Sequence, residues 1–358
     1  MGFSAGFFER LARAGSLAPS GDNLQPWSFT IENDALLVVH DPERDHALFN
    51  VRDLASYIAL GAVLENIAIA ATKENYNAKF AYFPDARNDK LIARIDFAQG
   101  GQIDPLADCL DKRCTNRKSY ERRALDDTMR KQLGMDLKRY PGVEISWLYD
   151  DSDLKKVGQV VAKADRLLFE NPLIHGHLFS TIRWTPAEVE RTRDGLPVET
   201  LELGKAGALG FRALKKWSVV ETLNRLGLSV MAAKQSATLM RCSSAAGLIT
   251  AANTSPISFL HVGQAFQRLW LIATQQRLSL QPMTAVVFLQ LKSIVGDFHG
   301  LTPAQIAIAN SLRDELARTY GISQGRVPAM HFRLGWASAP SGQTVRRPVA
   351  ENIPTMSE

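Results

Sequence analysis

The chain has 358 residues, 46% of them hydrophobic, which is enough to bury a large core and excludes an intrinsically disordered protein. Its 42 basic and 37 acidic residues are scattered, without the Lys/Arg runs that follow nucleic-acid phosphates. Three cysteines, with no Cys-x-x-Cys pair, argue against a disulfide framework or a thiolate metal site. We therefore expect a mildly basic globular protein of a reducing, cytoplasmic compartment, with no bound nucleic acid and no metal.

The N-terminal seven residues lack the basic segment and cleavable apolar stretch of a targeting signal. An amphipathic helix is predicted to follow, ending before Ala18. The most apolar run, residues 54–72, approaches membrane-spanning length but contains Glu65 and Asn66, whose burial in a bilayer would be costly. This run predicts a helix buried in protein, and we expect no membrane partner.

Two predicted helices share a pattern, and this repeat is the main clue to the architecture. Residues 61–72 read Gly-Ala-Val-Leu-Glu-Asn-Ile-Ala-Ile-Ala-Ala-Thr, and residues 263–274 read Gly-Gln-Ala-Phe-Gln-Arg-Leu-Trp-Leu-Ile-Ala-Thr. Both are apolar around most of their circumference, which indicates burial on nearly every side. We therefore expect two related halves, each with a central buried helix.

Short β-rich runs follow these helices at residues 79–83 and 283–288. Alternating apolar patterns predict further strands at residues 27–31, 35–39, 91–97, 143–149, 247–251 and 331–336. Residues 92–97 and 331–336 both carry an arginine, an aliphatic residue and an aromatic residue at similar spacing. This is a second sign of repetition, although short apolar strands also match by chance.

The boundary between the halves is expected between Gln102 and Ser119, before a helix predicted over residues 126–140. We place the N-terminal half at residues 1–110 and the C-terminal half at residues 111–358. Residues 171–210 are rich in proline and glycine and predict an insertion that covers a site, because long irregular segments in compact proteins are often lids. A polar tail follows, with a basic Arg346-Arg347-Pro348 segment.

Most familiar catalytic motifs are missing. The sequence has no Gly-x-Gly-x-x-Gly after a strand, no P-loop, no His-Glu-x-x-His and no Gly-x-Ser-x-Gly. A metal pair formed by His175 and His177 is disfavoured, because no cysteine or acidic partner stands at ligand spacing.

Two polar segments remain as candidate sites. Residues 18–27 read Ala-Pro-Ser-Gly-Asp-Asn-Leu-Gln-Pro-Trp, and their amides offer the donor and acceptor pairs that suit the imide edge of a flavin or pyrimidine. Residues 113–120 read Arg-Cys-Thr-Asn-Arg-Lys-Ser-Tyr, in which guanidiniums suit phosphate oxygens and a threonine suits a polyol hydroxyl. A plain helix-to-strand turn and a solvated basic surface are the competing interpretations.

Together these segments resemble the nitroreductase superfamily of flavoproteins, and within it the double-length, Acg-like group of FMN-binding oxidoreductases. Residues 18–27 are similar to the family's Ala-Pro-Ser-x-x-Asn-x-Gln-Pro-Trp element, and residues 113–117, with Tyr120 behind them, are similar to its Arg-x-Ser-x-Arg element. Residues 263–274 and 278–283 resemble the long dimer-core helix and the turn beside the isoalloxazine. Residues 333–337 and 346–348 resemble the closing strand and basic tail.

The resemblance implies an α+β fold in which two related halves form an intramolecular pseudo-dimer with central buried helices and mixed or antiparallel sheets. In the family, each FMN contacts the Pro-Ser-x-x-Asn loop of one subunit and the arginines of the other. Here each half carries only one of these elements, which implies one composite FMN site and a second, inactive equivalent. The cofactor-binding residues that the resemblance implies are Pro19, Ser20, Asn23, Gln25, Arg113, Thr115, Arg117, Gln281, Pro282, Met283, Arg346 and Arg347.

The resemblance also implies ping-pong hydride transfer from NAD(P)H through flavin N5 to an electrophilic small molecule, such as a nitro compound or a quinone. The family's acidic-Gly segment is absent after Leu280, where Gln-Pro-Met-Thr stands. Two alternatives therefore stay open: a non-catalytic FMN-sequestering protein with a closed lid, and a flavin oxidase or dehydrogenase acting on a biosynthetic intermediate. We expect a monomeric pseudo-dimer or a homodimer.

Overall fold

The computed structural model describes residues 3–135 and 137–349. Its N-terminal part forms an antiparallel four-stranded sheet in the order β1-β2-β4-β3, with a long helix between its second and third strands. In chain order the elements are α1 (Ala5–Ser16), β1 (Trp27–Glu32), β2 (Ala35–His40), α2 (Leu54–Lys73), β3 (Tyr76–Tyr82) and β4 (Leu91–Gln99).

The C-terminal part forms a second antiparallel four-stranded sheet, in the order β5-β8-β10-β9, and a small parallel pair, β6-β7. In chain order the elements are α3 (Asp127–Met135), β5 (Glu144–Leu148), α4 (Asp151–Glu170), α5 (Pro172–Thr181), β6 (Ile182–Arg183), α6 (Pro186–Thr192), β7 (Leu196–Pro197), α7 (Gly204–Ala213), α8 (Trp217–Asn224), α9 (Leu228–Arg241), β8 (Ala245–Ala251), α10 (Pro256–Gln275), β9 (Ser279–Pro282), α11 (Ala285–Val295), α12 (Pro303–Tyr320) and β10 (Val327–Gly335).

The two large sheets have the same topology. In each, the strands taken in chain order lie first, second, fourth and third across the sheet, and the long helix joins the second strand to the third. A shorter helix precedes the first strand in both halves, α1 in one and α3 in the other. This agreement confirms the α+β fold of two related halves, whereas a boundary at residue 110 stays a prediction.

The repeated glycines mark the place where the long helices α2 and α10 cross. A Cβ on Gly61 would lie 2.1 Å from the Leu260 carbonyl oxygen, and a Cβ on Gly263 would lie 2.0 Å from the Ile58 carbonyl oxygen. Each glycine therefore meets the residue three positions before the other glycine. Only a residue without a side chain allows this approach, and the crossing has an approximate two-fold symmetry.

Polar residues on the same helices also pair across the crossing. Gln267 Nε2 donates to Asn66 Oδ1 at 2.6 Å, and Arg268 bonds to Glu65 at 2.8 Å and to Asp104 at 2.5 Å. Burial raises the pKa of Glu65 even though Arg268 opposes this shift. Glu65 and Asn66, the two polar residues inside the apolar run of α2, thus join the two halves.

Among the described residues, one helical stretch has the length and apolar composition of a membrane span. It covers Val51–Lys73, with a mean hydropathy of 1.7 in its most apolar window, and 83% of that window is buried inside the protein. Burial against α10 and both sheets accounts for its apolar surface, as the sequence predicted.

The predicted strands are confirmed, with one exception. Residues 283–288 form the end of a turn and the first residues of α11, not a strand. Every residue of α11 from Val286 to Lys292 is buried, and a short buried apolar run cannot distinguish a strand from a helix. The helix expected over residues 126–140 is shorter, since α3 ends at Met135 and a separate 3-10 turn covers Leu137–Arg139.

The segment between β5 and β8, residues 149–244, is here named the helical insertion. It carries α4 to α9 and is therefore longer and more regular than the irregular segment expected at residues 171–210. Prolines 172 and 186 begin helices α5 and α6 instead of interrupting them, a position where the missing N–H has no cost.

Candidate functional site

A cavity of about 470 Å³ lies between the two halves and beneath the helical insertion. Both long helices reach it, α2 through Ile58 and Ala59 and α10 through Phe266 and Trp270. The loop after α1, the arginine segment at residues 113–117, the turn after β9 and the C-terminal tail complete its walls. Ten of the twelve residues predicted to bind a cofactor line this cavity: Pro19, Ser20, Asn23, Arg113, Thr115, Arg117, Gln281, Pro282, Met283 and Arg346.

The loop between α1 and β1 has a tightly wound backbone. Asp22, Asn23 and Gln25 all have positive φ angles, between 45° and 58°, and Asn and Asp tolerate this region better than most residues. The Ser20 hydroxyl accepts a hydrogen bond from the Gln25 amide N–H at 2.9 Å, which holds the loop closed. The loop is therefore a preformed part of the cavity wall.

Asn23 lines the cavity, but protein atoms occupy its side-chain amide. Its Nδ2 donates to the carbonyls of Val345 and Gly195, and its Oδ1 accepts from Arg346 Nη1 at 2.7 Å. These bonds position Arg346, and a direct contact between Asn23 and a cofactor stays a prediction.

Gln25 and Arg347 lie outside the cavity, which corrects their predicted place in the site. Gln25 is 1% exposed, donates to the Arg193 carbonyl at 2.9 Å and accepts from the Arg347 backbone N–H at 2.9 Å. The Arg347 guanidinium pairs with Asp194 at 2.5 Å. Both residues fasten the tail to the loop and to the helical insertion.

Arg113 packs between the halves with little of its charge neutralised. Its guanidinium lies 4.4 Å from the centre of the Trp270 ring and donates to the Leu17 carbonyl at 3.0 Å. Its Nε is buried and has no hydrogen-bond partner among the described residues. Burial, and next the neighbouring Arg346, lower the pKa of Arg113, because both disfavour the charged form.

Arg346 brings the C-terminal tail to the end of α1. It donates to the carbonyl oxygens of Ser16, Leu17 and Ala18 at 2.9, 3.4 and 3.3 Å. These carbonyls carry the partial negative charge of a helix C-terminus, which favours a cation there. Burial lowers the pKa of Arg346 to about 10, so the guanidinium remains charged at neutral pH.

The segment that carries Arg117 and Thr115 is held against β9. Thr115 forms a parallel β-bridge with Leu280, and the Asn116 side chain donates to Ser279 Oγ at 3.0 Å and to the Ser338 carbonyl at 2.8 Å. Arg117 donates to the Thr200 carbonyl at 3.2 Å, and burial lowers its pKa. These bonds direct both side chains to the cavity wall.

No carboxylate within the described part of the chain forms an ion pair with Arg113, Arg117 or Arg346. Three guanidiniums thus meet at one cavity without a bonded carboxylate, although the end of α1 offsets part of the charge of Arg346 and the nearby Asp22 offsets part of the charge of Arg117. Buried cations without partners are costly, and an anionic ligand would remove that cost. The arrangement is that of a phosphate or carboxylate site.

The end of β9 and the residue that follows it lie beside these arginines. Gln281, Pro282 and Met283 line the cavity, and Gln281 Oε1 accepts from Arg333 Nε at 2.7 Å. Arg333 is fully buried and stacks 3.7 Å from the centre of the Tyr120 ring. Gln281 is thereby fixed in place.

Protein side chains pack at the symmetry-equivalent place on the other side of the helix crossing. Leu260 and His261 correspond there to Ile58 and Ala59. The His261 ring lies 5.6 Å from the Tyr82 ring, and the Tyr82 hydroxyl donates to Gln264 at 3.1 Å. A second, inactive equivalent of the site stays a prediction.

The helical insertion contributes cavity residues that no sequence motif indicated. Ile174, His177, Thr200 and Leu201 fall within the segment predicted to cover a site, and they line the cavity without having been named individually. His177 Nε2 lies 3.3 Å from Asp22 Oδ2, and although burial lowers the pKa of His177, Asp22 raises it above its ordinary value. His175 bonds to the Leu214 carbonyl instead, so the two histidines do not converge.

Asp165 and Ser236 lie outside the predicted cover, on α4 and α9, and also line the cavity. The amphipathic pattern of α4 could have shown which face is buried. It could not have shown that α9, about 70 residues later, packs beside it.

No family model matches the sequence. The chain is 24% identical over 281 residues, 78% of its length, to the uncharacterized protein MT1398 of Mycobacterium tuberculosis, and it spans 39% of the length of that relative.

Solved structures similar to the chain are named as nitroreductases. A nitroreductase with bound FMN from Desulfitobacterium hafniense is 10% identical, over 72% of this chain and 100% of that chain, with a TM-score of 0.40. The FMN-dependent nitroreductase NfnB of Mycobacterium smegmatis, in complex with NADPH, is 11% identical over 71% of this chain and 98% of that chain, with a TM-score of 0.40.

Proposed function

We propose that the chain binds FMN in the cavity between its halves and works as an FMN-dependent oxidoreductase. One observation carries this proposal. Three guanidiniums that form no ion pair with a carboxylate in the described structure lie at the same cavity as an apolar wall from both long helices. Its volume of about 470 Å³ falls in the usual range for small-molecule sites, roughly 300–1,000 Å³.

The side chains that line the cavity have the chemistry that FMN binding requires. Arg113 and Arg117 would bond the phosphate, and Arg346, whose N–H groups already bond protein oxygens, would add positive charge beside it. The Thr115 hydroxyl and the O–H of Ser20, whose oxygen accepts from the Gln25 N–H, would bond the polyol chain. The apolar side chains of α2 and α10 and residues 281–283, at the end of β9, would pack against the ring. Asn23 would contribute by holding Arg346.

Bound FMN would accept a hydride from NAD(P)H and pass electrons to an electrophilic small molecule, such as a nitro compound or a quinone. The chain's own part is to bind the flavin, stabilise its negative charge with the guanidiniums and exclude water by means of the helical insertion.

Flavin binding is tested by reconstitution. The purified chain should take up FMN and turn yellow, and Arg117→Ala should weaken FMN binding at least about tenfold, because a charge-assisted bond to phosphate is lost. Asn23→Ala, in the other half, should also weaken it. Arg122→Ala is the matched control, since Arg122 is exposed and pairs with Asp151. A colourless chain that takes up no FMN would refute the proposal, and loss in only one half would refute the composite site.

Turnover needs a separate measurement. Under anaerobic conditions, NADPH or NADH should bleach the flavin absorbance, and a nitroaromatic or quinone should restore it. Bleaching without restoration by either acceptor would contradict the proposed acceptor class.

The helical insertion favours a second candidate function, sequestration of FMN. Its residues Ile174, Leu178 and Leu201 form part of the cavity wall and would limit access to a bound ring. In that case the yellow chain should resist bleaching by NAD(P)H, while a Leu178→Ala, Leu201→Ala double variant should become reducible. Bleaching of the unaltered chain would exclude sequestration.

A further inference from the structure

Asp165 is an ionisable group of the cavity that the proposed flavin site does not use. Asp165 lies on α4 and lines the cavity together with Leu168, one helical turn further along. Ser236 and Leu239 on α9 repeat the same spacing. Gly158 allows these helices to pack closely, since its Cβ would lie 3.0 Å from the Ala237 carbonyl oxygen. A carboxyl and a hydroxyl thus face one part of the cavity beside two leucines.

No cation of the described chain neutralises Asp165. The basic residues that flank it on α4 are used elsewhere, because Lys163 pairs with Glu315 at 2.7 Å and Arg166 pairs with Glu170 at 2.7 Å. Burial raises the pKa of Asp165 to about 6, an effect that a hydrogen bond with Ser236 partly opposes. The carboxylate is therefore still the major form at neutral pH, without a counter-ion.

The other carboxyl groups of the cavity differ from Asp165. Asp22 lies beside His177, and Asp45 accepts hydrogen bonds from the Ala47 N–H at 3.2 Å and the Ser56 hydroxyl at 3.3 Å. Asp111 is exposed to solvent, where water satisfies its charge. Asp165 alone among these four combines an apolar setting with the lack of a charged or backbone partner in the described structure.

We propose that Asp165 and Ser236 form a subsite for the cationic nitrogen of an organic ligand, an aromatic electron acceptor that carries a protonated amine or amidine. The inference rests on the proposed function, in which the arginine end of the cavity holds FMN and the acceptor occupies the remainder. A cationic nitrogen would supply the missing counter-charge and donate hydrogen bonds to the carboxylate, while the leucines contact the aromatic ring.

Two probes of the same shape test the subsite: para-nitrobenzylamine, which is cationic, and para-nitrobenzyl alcohol, which is neutral. Titration calorimetry at pH 7.5 should show that the chain binds the amine at least about tenfold more tightly than the alcohol. Asp165→Asn should reduce this ratio to about one, and Ser236→Ala should reduce it partly, because a hydrogen bond to an ionised group is lost. Asp153→Asn changes a partly exposed residue of the same helix that pairs with Lys156 and does not line the cavity, so this control should leave the ratio unchanged.

The pH dependence provides an independent measurement. The amine preference should decline as the pH falls through about 6, where Asp165 takes up a proton, and this decline should be absent from Asp165→Asn. Equal binding of the two probes by the unaltered chain, or an unchanged ratio in Asp165→Asn, would overturn the proposal. An equal loss of both probes in Asp165→Asn would also overturn it, since it would indicate a structural role.

Each titration is run on the chain with and without added FMN. A chain that takes up no FMN but still prefers the amine would refute the proposed function and leave the subsite supported. A chain that binds FMN but shows no preference would refute only the subsite.

Discussion

Asn23 and Arg346 are separated by most of the chain, yet a hydrogen bond between their side chains joins the loop after α1 to the C-terminal tail. The carboxamide oxygen of Asn23 accepts from Arg346 Nη1 at 2.7 Å. A neutral acceptor holds the guanidinium in place without neutralising its charge. The charge of Arg346 therefore remains available to an anionic ligand.

Asn23→Asp tests this role with little change in shape. The new carboxylate would pair with Arg346, reduce the positive charge at the cavity and repel a phosphate, so FMN binding should weaken at least about tenfold. Fluorescence titration of FMN measures the change. Asn33→Asp is the matched control, since Asn33 is exposed and does not line the cavity, and it should leave FMN binding unchanged. Unchanged binding in Asn23→Asp would contradict the role of Arg346.

His331 should make the stability of the fold depend on pH. It is fully buried, lies 2.9 Å from the Tyr320 hydroxyl and 3.3 Å from the Met283 carbonyl, and burial lowers its pKa to about 4. Its unfolded pKa is about 6.5, so between these values the unfolded chain holds a proton that the folded chain lacks. The free energy of unfolding should therefore fall as the pH drops from 6.5 towards 4, by up to about 1.4 kcal/mol per pH unit.

Urea unfolding at several pH values measures this slope. The slope should become smaller in His331→Gln and stay unchanged in His46→Gln, because His46 is exposed. Equal slopes in the unaltered chain and in His331→Gln would show that His331 does not carry the dependence.

The residues of the arginine segment could be predicted because they stand close together in the sequence. Arg113, Thr115 and Arg117 stand within five positions, and a phosphate site needs that combination wherever the segment lies. The partners of Asn23 and Gln25 could not be predicted in the same way. Both bond to residues of the tail more than 300 positions away, and no local pattern indicates such contacts.

The crossing of α2 and α10 gives the clearest prediction for an element. Gly61→Ala places a methyl group against the backbone of Leu260, which cannot move without shifting α10, so the free energy of unfolding should fall by about 3 kcal/mol or more. Thermal and urea unfolding report the loss. Gly176→Ala, in α5 with nothing within 4 Å of the new Cβ, should be neutral or stabilise by up to about 1 kcal/mol. Equal stability of the two variants would disprove the close approach.

The elements that could be predicted are those with a repeat or a clear period. The shared Gly-to-Thr pattern correctly predicted both long helices. Of the eight runs predicted as strands, seven are strands in the structure. The strand prediction for residues 283–288 was wrong, because a buried helix and a buried strand have the same sequence pattern over so short a run. The length of the helical insertion was predicted wrongly, because glycine and proline mark helix ends as well as loops.

At the scale of the molecule, the halves should stay together without their covalent link. Residues 100–103 connect β4 to the C-terminal part, and Ile103 is exposed there. Fragments of residues 1–101 and 102–358, expressed together, should copurify, because the helix crossing and the Glu65–Arg268 contact join them. Affinity capture of a tagged N-terminal fragment measures this association. The same fragments carrying Gly61→Val should separate, and separation of the unaltered pair would show that the crossing alone is insufficient.

The covalent link still changes how the shared cavity responds to dilution. Two separate subunits meet at a rate that depends on their concentration, whereas two halves of one chain meet at an effective concentration set by the short connection. A cavity with one wall in each half therefore persists in a single molecule. A low concentration of the protein in the cell would therefore not separate the two walls of the cavity.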